Sequence, residues 1–297
     1  MAFFTGFDAA NLPVTLPTND AGEIVFDGFS LSPKQPISVT PEELRFTTVT
    51  PGATLIWSGN DFRVDASGAV VAGQVTGVTV KIGTQSFVEI SDLEDVDAAQ
   101  LFSLSGGGPE DSIDPLFTYM LQGDDVAIGT NLNDVSLNGY GGNDIIFGRG
   151  GDDILTGGTG SDQLYGGQGQ DILIGVNPLA SNPGAGEQDI LTGGRDADIF
   201  VLGDANAAYY TAHGWCDYAL ITDFQVGEDK IQLAGAASDY TLAPYGFGCG
   251  YSYGTAIYLQ GAGNGCCCGG GELIGVVQNT PPYALNLSDA SQFVYAA

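Results

Sequence analysis

The sequence predicts an all-β protein with an N-terminal β-sandwich, a parallel β-roll and a β-rich C-terminal cap. Three observations lead to this prediction. Short runs of alternating apolar and polar residues fill residues 1–118, a nine-residue period of glycine and aspartate fills residues 119–202, and residues 203–297, with their Cys/Gly/Tyr-rich loops, follow the repeats. We therefore expect three domains with these boundaries.

The composition points to bound cations. The 297 residues include 36 Asp and Glu but only 7 Lys and Arg, which gives a formal net charge of −29. With 43% hydrophobic residues the chain is too apolar for a disordered acidic tail. A folded chain of this charge repels itself unless cations neutralise it, and it disfavours nucleic acid and anionic membranes as partners. No apolar stretch is long enough for a membrane span.

The N-terminal domain shows the period-two pattern of half-buried strands. Residues 75–82 (VTGVTVKI) alternate on their β-branched side chains, and clusters of Gly, Pro and Asp separate this run from its neighbours. We expect a β-sandwich with one short helix near residues 95–101. The glycine-rich residues 105–114 read as a linker.

Four consecutive nine-residue repeats share the pattern G-x-x-G-x-D-x-U-x, where U is apolar. They begin at Gly139, Gly148, Gly157 and Gly166. The glycines at the first and fourth positions are Gly139, Gly142, Gly148, Gly151, Gly157, Gly160, Gly166 and Gly169. The aspartates in this phase, with those that continue it on either side, are Asp125, Asp134, Asp144, Asp153, Asp162, Asp171, Asp189 and Asp198. In the stretch between Asp171 and Asp189, Ala180 takes the aspartate position.

These residue types at this spacing suit calcium. Glycines let the backbone carbonyls of a tight loop converge, and Ca²⁺ takes six to eight oxygens from carboxylates and carbonyls. Because successive loops lie on opposite edges of a roll, each ion should lie between one nonapeptide and the next but one. We expect about three to five ions from this rule. The expected aspartate pairs are 144–162, 153–171, 125–144, 134–153 and 171–189.

The repeats resemble the RTX (repeats-in-toxin) family. Residues 191–201, 217–224 and 228–233 are similar to the cap that ends such rolls, and residues 177–187 and 272–278 are similar to cyanobacterial members. The resemblance implies calcium-dependent folding outside the cell after export by a type I exporter. We expect no cleaved N-terminal signal, and residues 287–297 suit the C-terminal export signal of this family.

Catalytic motifs fail their context tests. The segment 250–254 (GYSYG) matches G-x-S-x-G, but the single histidine, His213, precedes Ser252, and a Gly/Tyr-rich loop surrounds the serine. No H-E-x-x-H occurs, which excludes a zinc protease of that type. Asp61 and Asp65 read as turn residues rather than an acid/base pair. We therefore expect no enzyme and no catalytic residue.

The five cysteines lie in the last third of the chain, and their use stays open among disulfides within the chain, bonds between chains and a soft-metal site. They are Cys216, Cys249, Cys266, Cys267 and Cys268.

Three functions remain in competition. The first is a secreted structural protein, a homopolymer of a filament, sheath or surface layer. The second is an adhesin that binds extracellular glycans, and the third is a hydrolase with the roll as its secretion tail.

Overall fold

The computed structural model describes residues 3–5, 36–47, 53–67, 69–82, 85–97, 122–129, 131, 133–134, 137–212, 216–246, 254–261 and 271–296. The chain divides into two compact units, Met1–Thr130 and Asn131–Ala297. The all-β prediction is confirmed: the described regular elements are strands and two short 3-10 helices, Ala237–Asp239 and Pro282–Ala284. No helix in these ranges is both long and apolar enough to cross a membrane. The predicted linker lies outside the described residues.

The described strands of the N-terminal unit belong to one sheet. They are β1 (Phe3–Thr5), β2 (Pro36–Val39), β3 (Glu43–Thr47), β4 (Ala53–Val64), β5 (Val70–Ile82), β6 (Gln85–Asp97) and β7 (Val126–Ile128). Their order in the sheet is β7-β1-β6-β5-β4-β3-β2; β7 and β1 pair parallel, and every other neighbouring pair is antiparallel. A sandwich needs a second sheet, so that part of the fold stays a prediction.

The short helix predicted near residues 95–101 is wrong for residues 95–97, which form the end of β6. There Val96 pairs with Val75 and Asp97 with Gln74, so cross-strand hydrogen bonding outweighs the local helix preference. Residues 98–101 lie outside the described part of the chain. The core of this unit is apolar, and Phe46 packs on Trp57 with ring centroids 4.8 Å apart.

The C-terminal unit is a roll whose successive strands alternate between two sheets as far as residue 245. Its strands are β8 (Leu137–Asn138), β9 (Ile145–Gly150), β10 (Ile154–Gly158), β11 (Gln163–Gln168), β12 (Ile172–Val176), β13 (Gln188–Arg195), β14 (Ile199–Val201), β15 (Tyr218–Ile221), β16 (Lys230–Ala234), β17 (Tyr240–Tyr245), β18 (Gly254–Gln260), β19 (Gly271–Gln278) and β20 (Phe293–Ala296).

Both sheets of the roll are parallel over the repeats. One sheet runs β9-β11-β13-β15-β19 in parallel and continues antiparallel into β18 and β17. The other runs β8-β10-β12-β14-β16-β20, parallel throughout. The predicted parallel β-roll is thereby confirmed.

The apolar position of each nonapeptide builds the core between the sheets. Ile146, Leu164 and Leu191 align in one sheet, and each has no exposed surface. Leu155 and Leu173 align in the other sheet and continue into Phe200. Because one such residue recurs every nine positions, the core is one side chain thick per strand and extends with each repeat.

The stretch in which Ala180 takes the aspartate position does not form a strand of its own. Residues 175–186, which the spacing predicts to keep the length of one repeat, form the end of β12 and most of the loop that joins β12 to β13. An additional strand would have made the chain cross between the sheets twice between β12 and β13. It crosses once, and β13 therefore pairs with β11. The segment 175–189, which contains this loop and the adjoining ends of β12 and β13, is called the expanded loop below.

Candidate metal centre

The aspartates form two columns, one along each edge of the roll. In each column the backbone N–H of one aspartate donates to Oδ1 of the next aspartate in the column, at 2.8–3.0 Å. The first column contains Asp144, Asp162 and Asp189. The second column contains Asp134, Asp153, Asp171, Asp198 and Asp229.

Three of the predicted pairs, 144–162, 153–171 and 134–153, are neighbours in these columns. The predicted pair 171–189 is wrong. Asp189 instead follows Asp162, 27 residues away, and Asp198 follows Asp171, also 27 residues away. The cause is the expanded loop, which adds nine residues to the usual spacing of 18 without adding a strand.

The second carboxylate oxygen, Oδ2, is buried and accepts no hydrogen bond from the described residues in four members of the columns. These are Asp153, Asp162, Asp171 and Asp198, whose side chains are at most 1% exposed. A buried charged oxygen without a donor is strongly unfavourable, because it has lost water and gained nothing. These four oxygens therefore need protons or cations.

The first glycine of each repeat makes room for this oxygen. A Cβ atom at Gly148 would lie 2.5 Å from Asp153 Oδ2 and 2.5 Å from the carbonyl oxygen of Gly166. The same arrangement recurs at Gly139, Gly157 and Gly166. A carboxylate oxygen and a carbonyl oxygen thus lie against one glycine, and both can only accept. A hard cation that bonds oxygens fits between such groups.

The glycine at the fourth position of each repeat allows a backbone conformation with positive φ. Gly160 has φ +122°, and a Cβ there would collide with the carbonyl oxygen of Gly142 in the loop before it in the column. Gly142, Gly151 and Gly169 share the positive φ. A side chain at this position would be strained whatever its size.

Burial raises the pKa of these carboxyl groups, and neighbouring carboxylates raise it further. The pKa of Asp162 rises to about 8, that of Asp198 to about 8 and that of Asp153 to about 7. Burial also raises the pKa of Asp171 and of Asp189, in each case to about 6. Ionising these groups without a cation is therefore costly at neutral pH.

The described residues contain no group of three or more Asp, Glu, His or Cys side chains that converge on one point. A calcium ion held by the columns would take one or two aspartates from adjacent loops and complete its shell with loop carbonyls. The donors are all oxygens, which is the set that Ca²⁺ prefers. The residues present fit the ion.

The nine-residue pattern did not identify four acidic residues that lie near the columns. Glu187 stands where the repeat has its fourth glycine, and its Oε1 accepts the N–H of Gly160 at 3.1 Å. Burial raises its pKa to about 7. Asp217 accepts the N–H of Gly186.

In the cap, Asp223 accepts the N–H groups of Gly193 and Gly194, and Asp229 ends the second column. A signal for Asp229 was available, because Asp229-Lys-Ile-Gln-Leu233 repeats the D-x-U pattern without the glycine loop.

Asp125 is 6% exposed and lies in the N-terminal unit, next to β7, and its predicted pairing with Asp144 stays a prediction. Asp65 is a turn residue, as expected, since its Oδ1 accepts the N–H groups of Ser67 and Ala69. Cys216 is exposed and forms no disulfide with any residue in the described part of the chain. The other four cysteines, His213 and Ser252 lie outside the described residues.

Comparison with known proteins identifies the repeats. Residues 121–155 and 138–173 match the family model of the RTX calcium-binding nonapeptide repeat (4 copies). No curated protein matches the chain. A solution structure of the AlgE6R3 subunit from the Azotobacter vinelandii mannuronan C5-epimerase is similar at 20% identity, over 57% of this chain and 82% of that one, with a TM-score of 0.29. The chain thus carries RTX calcium-binding nonapeptide repeats over residues 121–173, as the sequence predicted.

Proposed function

We propose that the protein is a secreted calcium-binding structural protein, the subunit of an extracellular filament, sheath or surface layer, whose roll folds when calcium binds. The observation that carries the proposal is the set of buried Oδ2 atoms that accept no hydrogen bond from the described residues, each beside a loop glycine. Calcium bound along the columns would neutralise these oxygens and join each loop to its neighbour in the column.

Charge supports the calcium dependence. The net charge of −29 includes two lines of aspartates whose members follow one another at hydrogen-bonding distance along the roll edges. Without cations, mutual repulsion and lost hydration oppose closure of the roll. The free energy of calcium binding therefore becomes free energy of folding, as in other metal sites that do not exist in the unfolded chain.

Calcium-dependent folding is compatible with export of the unfolded chain. RTX repeats are typical of secreted proteins, and such proteins are typically exported by type I systems. A chain that folds only in calcium stays unfolded where calcium is scarce and folds where it is abundant. The segment that we assign to export, residues 287–297, contains β20, the last strand of one sheet of the roll. Folding would thus withdraw this segment from the exporter.

Edge strands of the sheets support assembly. Among the strands that the structure describes, β20 stands at the end of its sheet, and its Val294 is 38% exposed. Strand β2 is in the same position in the sheet of the N-terminal unit. Edge strands offer unpaired backbone groups to a further strand, and polymers of β-rich subunits grow in this way.

The proposal is tested by electron microscopy of one preparation in two states. The chain is purified in EGTA, half is dialysed into millimolar calcium, and both halves are examined by negative staining. We expect ordered filaments or sheets only in calcium. Dispersed compact particles in calcium would overturn self-assembly and direct the next experiments to glycan binding and to hydrolase assays.

A further inference from the structure

Asp189 differs from four other buried members of the columns in what its second oxygen contacts. At Asp153, Asp162, Asp171 and Asp198, Oδ2 accepts no hydrogen bond from the described residues. At Asp189, Oδ2 accepts the O–H of Tyr210 at 2.6 Å.

The position of the oxygen is nevertheless the same. A Cβ at Gly175 would collide with Asp189 Oδ2, as one at Gly157 would collide with Asp162 Oδ2. It would also collide with the Tyr210 hydroxyl oxygen. The phenol oxygen therefore lies beside the carboxylate, against the glycine that opens the expanded loop. In the loop that Gly157 opens, the corresponding neighbour is the carbonyl oxygen of Gly175.

The fold holds Tyr210 in this place firmly. Its side chain has no exposed surface, and its backbone N–H donates to the carbonyl of Pro183 in the expanded loop at 2.8 Å. Its φ is +59°, a conformation that an aromatic residue adopts rarely and only where its surroundings fix it. The expanded loop and the tyrosine thus form one built structure.

We propose that the Tyr210 hydroxyl takes the place of a calcium ion at Asp189 and closes the first column. The inference rests on the proposed calcium binding by the other loops. The next residue in register after Asp189 is Ala219, so the line of aspartates in the first column ends at Asp189. An O–H donor neutralises part of the carboxylate charge without requiring the six or more oxygens of a calcium shell.

The second column ends in an equivalent way. Asp229 Oδ1 accepts the N–H of Asp198 as the column requires, and its Oδ2 accepts the backbone N–H of Gln225 at 2.7 Å. Each column therefore ends on an aspartate whose second oxygen bonds to a protein donor. One end uses a side chain and the other a turn of the backbone.

The experiment compares Tyr210→Phe with Tyr209→Phe in the full chain. Tyr209 is a matched control, because it is 2% exposed and its hydroxyl bonds to a carboxylate outside the columns, that of Asp204. Calcium bound per chain is measured by elemental analysis after gel filtration in saturating calcium. We expect Tyr210→Phe to bind one more ion than the wild type, and Tyr209→Phe to bind the wild-type number. An unchanged count in Tyr210→Phe overturns the proposal.

Should Tyr210→Phe fail to fold, calcium-soaked crystals of the wild type decide the question by anomalous scattering. Peaks beside Oδ2 of Asp153 and Asp162 with none at ligand distance from Asp189 Oδ2 support the proposal. A peak at Asp189 Oδ2 overturns it. A protein that binds no calcium anywhere would instead overturn the proposed function, so the two failures are distinguishable.

Discussion

The sheet of the N-terminal unit and the roll of the C-terminal unit share the alternation of apolar and polar residues but differ in what their interiors contain. In the former, Leu44, Phe46 and Trp57 pack with no exposed surface. In the latter, the apolar line of Ile146 and Leu164 is flanked by aspartates that are equally buried. The former interior is stable once water is excluded, whereas the latter also needs protons or cations on its carboxylates.

The largest expected difference between the two units is their response to calcium removal. In EGTA, amides of residues 137–198 should lose protection from hydrogen exchange, while amides of residues 43–47, 53–64 and 70–80 should keep it. At calcium of 100 times Kd, linkage contributes about 2.7 kcal/mol per site, so removal should speed exchange on the order of 100-fold for each site that is emptied. Mass spectrometry of the full chain measures both regions in one sample. Equal protection of the roll with and without calcium would contradict the calcium dependence.

A smaller effect is expected from one carboxylate of a column. Asp153→Asn should lower calcium binding by about one ion per chain and destabilise the calcium-bound roll by about 1–3 kcal/mol, because a buried ligand loses its charge. Calcium titration and thermal unfolding measure the two quantities.

Its neighbour supplies the control. Asp152 is exposed and its Oδ1 accepts the N–H of Gln170, as Asn143 Oδ1 accepts that of Ser161. Asp152→Asn removes the same charge, keeps this hydrogen bond and should change stability by less than about 0.5 kcal/mol. Equal effects of the two variants would mean that overall charge, not the column, determines calcium binding.

A comparable loss of stability, without any change in charge, is expected when the first glycine of one repeat is replaced by alanine. Gly148→Ala places a methyl group 2.5 Å from Asp153 Oδ2 and from the Gly166 carbonyl, and should cost on the order of 1–3 kcal/mol. At Gly150 the nearest atom outside the adjacent residues is 3.8 Å from the Cβ position, so Gly150→Ala should stay within about 0.5 kcal/mol. Urea unfolding in calcium compares them. Similar midpoints would show that the loop relaxes around the methyl group.

The smallest expected effect is a pH dependence in the absence of calcium. The pKa values of Asp162 and Asp198, raised to about 8, exceed the value near 3.9 of an unfolded chain, so the folded roll binds more protons between these limits. Calcium-free stability should thus be greatest near pH 4 and fall as the pH rises towards 8. Circular dichroism in EGTA at pH 5 and pH 8 tests this. An unfolded roll at both values would show that protons do not replace the ion.

Much of the roll could be predicted from the sequence because its physics is periodic. A buried side chain and a loop carboxylate every nine residues define both the core and the columns, so Leu155, Leu164 and Leu173 were placed correctly. The strand register followed for the same reason, with Asp144 beside Asp162 and Asp153 beside Asp171.

Where the period carries no information, prediction failed. A loop of any length can join two strands, so the spacing alone did not show that residues 177–187 lengthen a loop. Tyr210 approaches Asp189 from a later segment, and no local pattern marks that contact. Residues 95–97 lie in a strand because of their partners in β5, which the local sequence does not reveal.

The expanded loop shows that chain length and sheet register are independent in this fold. Because the added residues leave and re-enter the roll at one edge, β11 still pairs with β13 and the core residues Leu164 and Leu191 still meet. Leu179, within the loop, is 93% exposed and constrains none of this. The edges of the roll are therefore permissive sites for insertion, where natural variation or protein engineering adds a recognition loop while the repeats on either side keep their pairing.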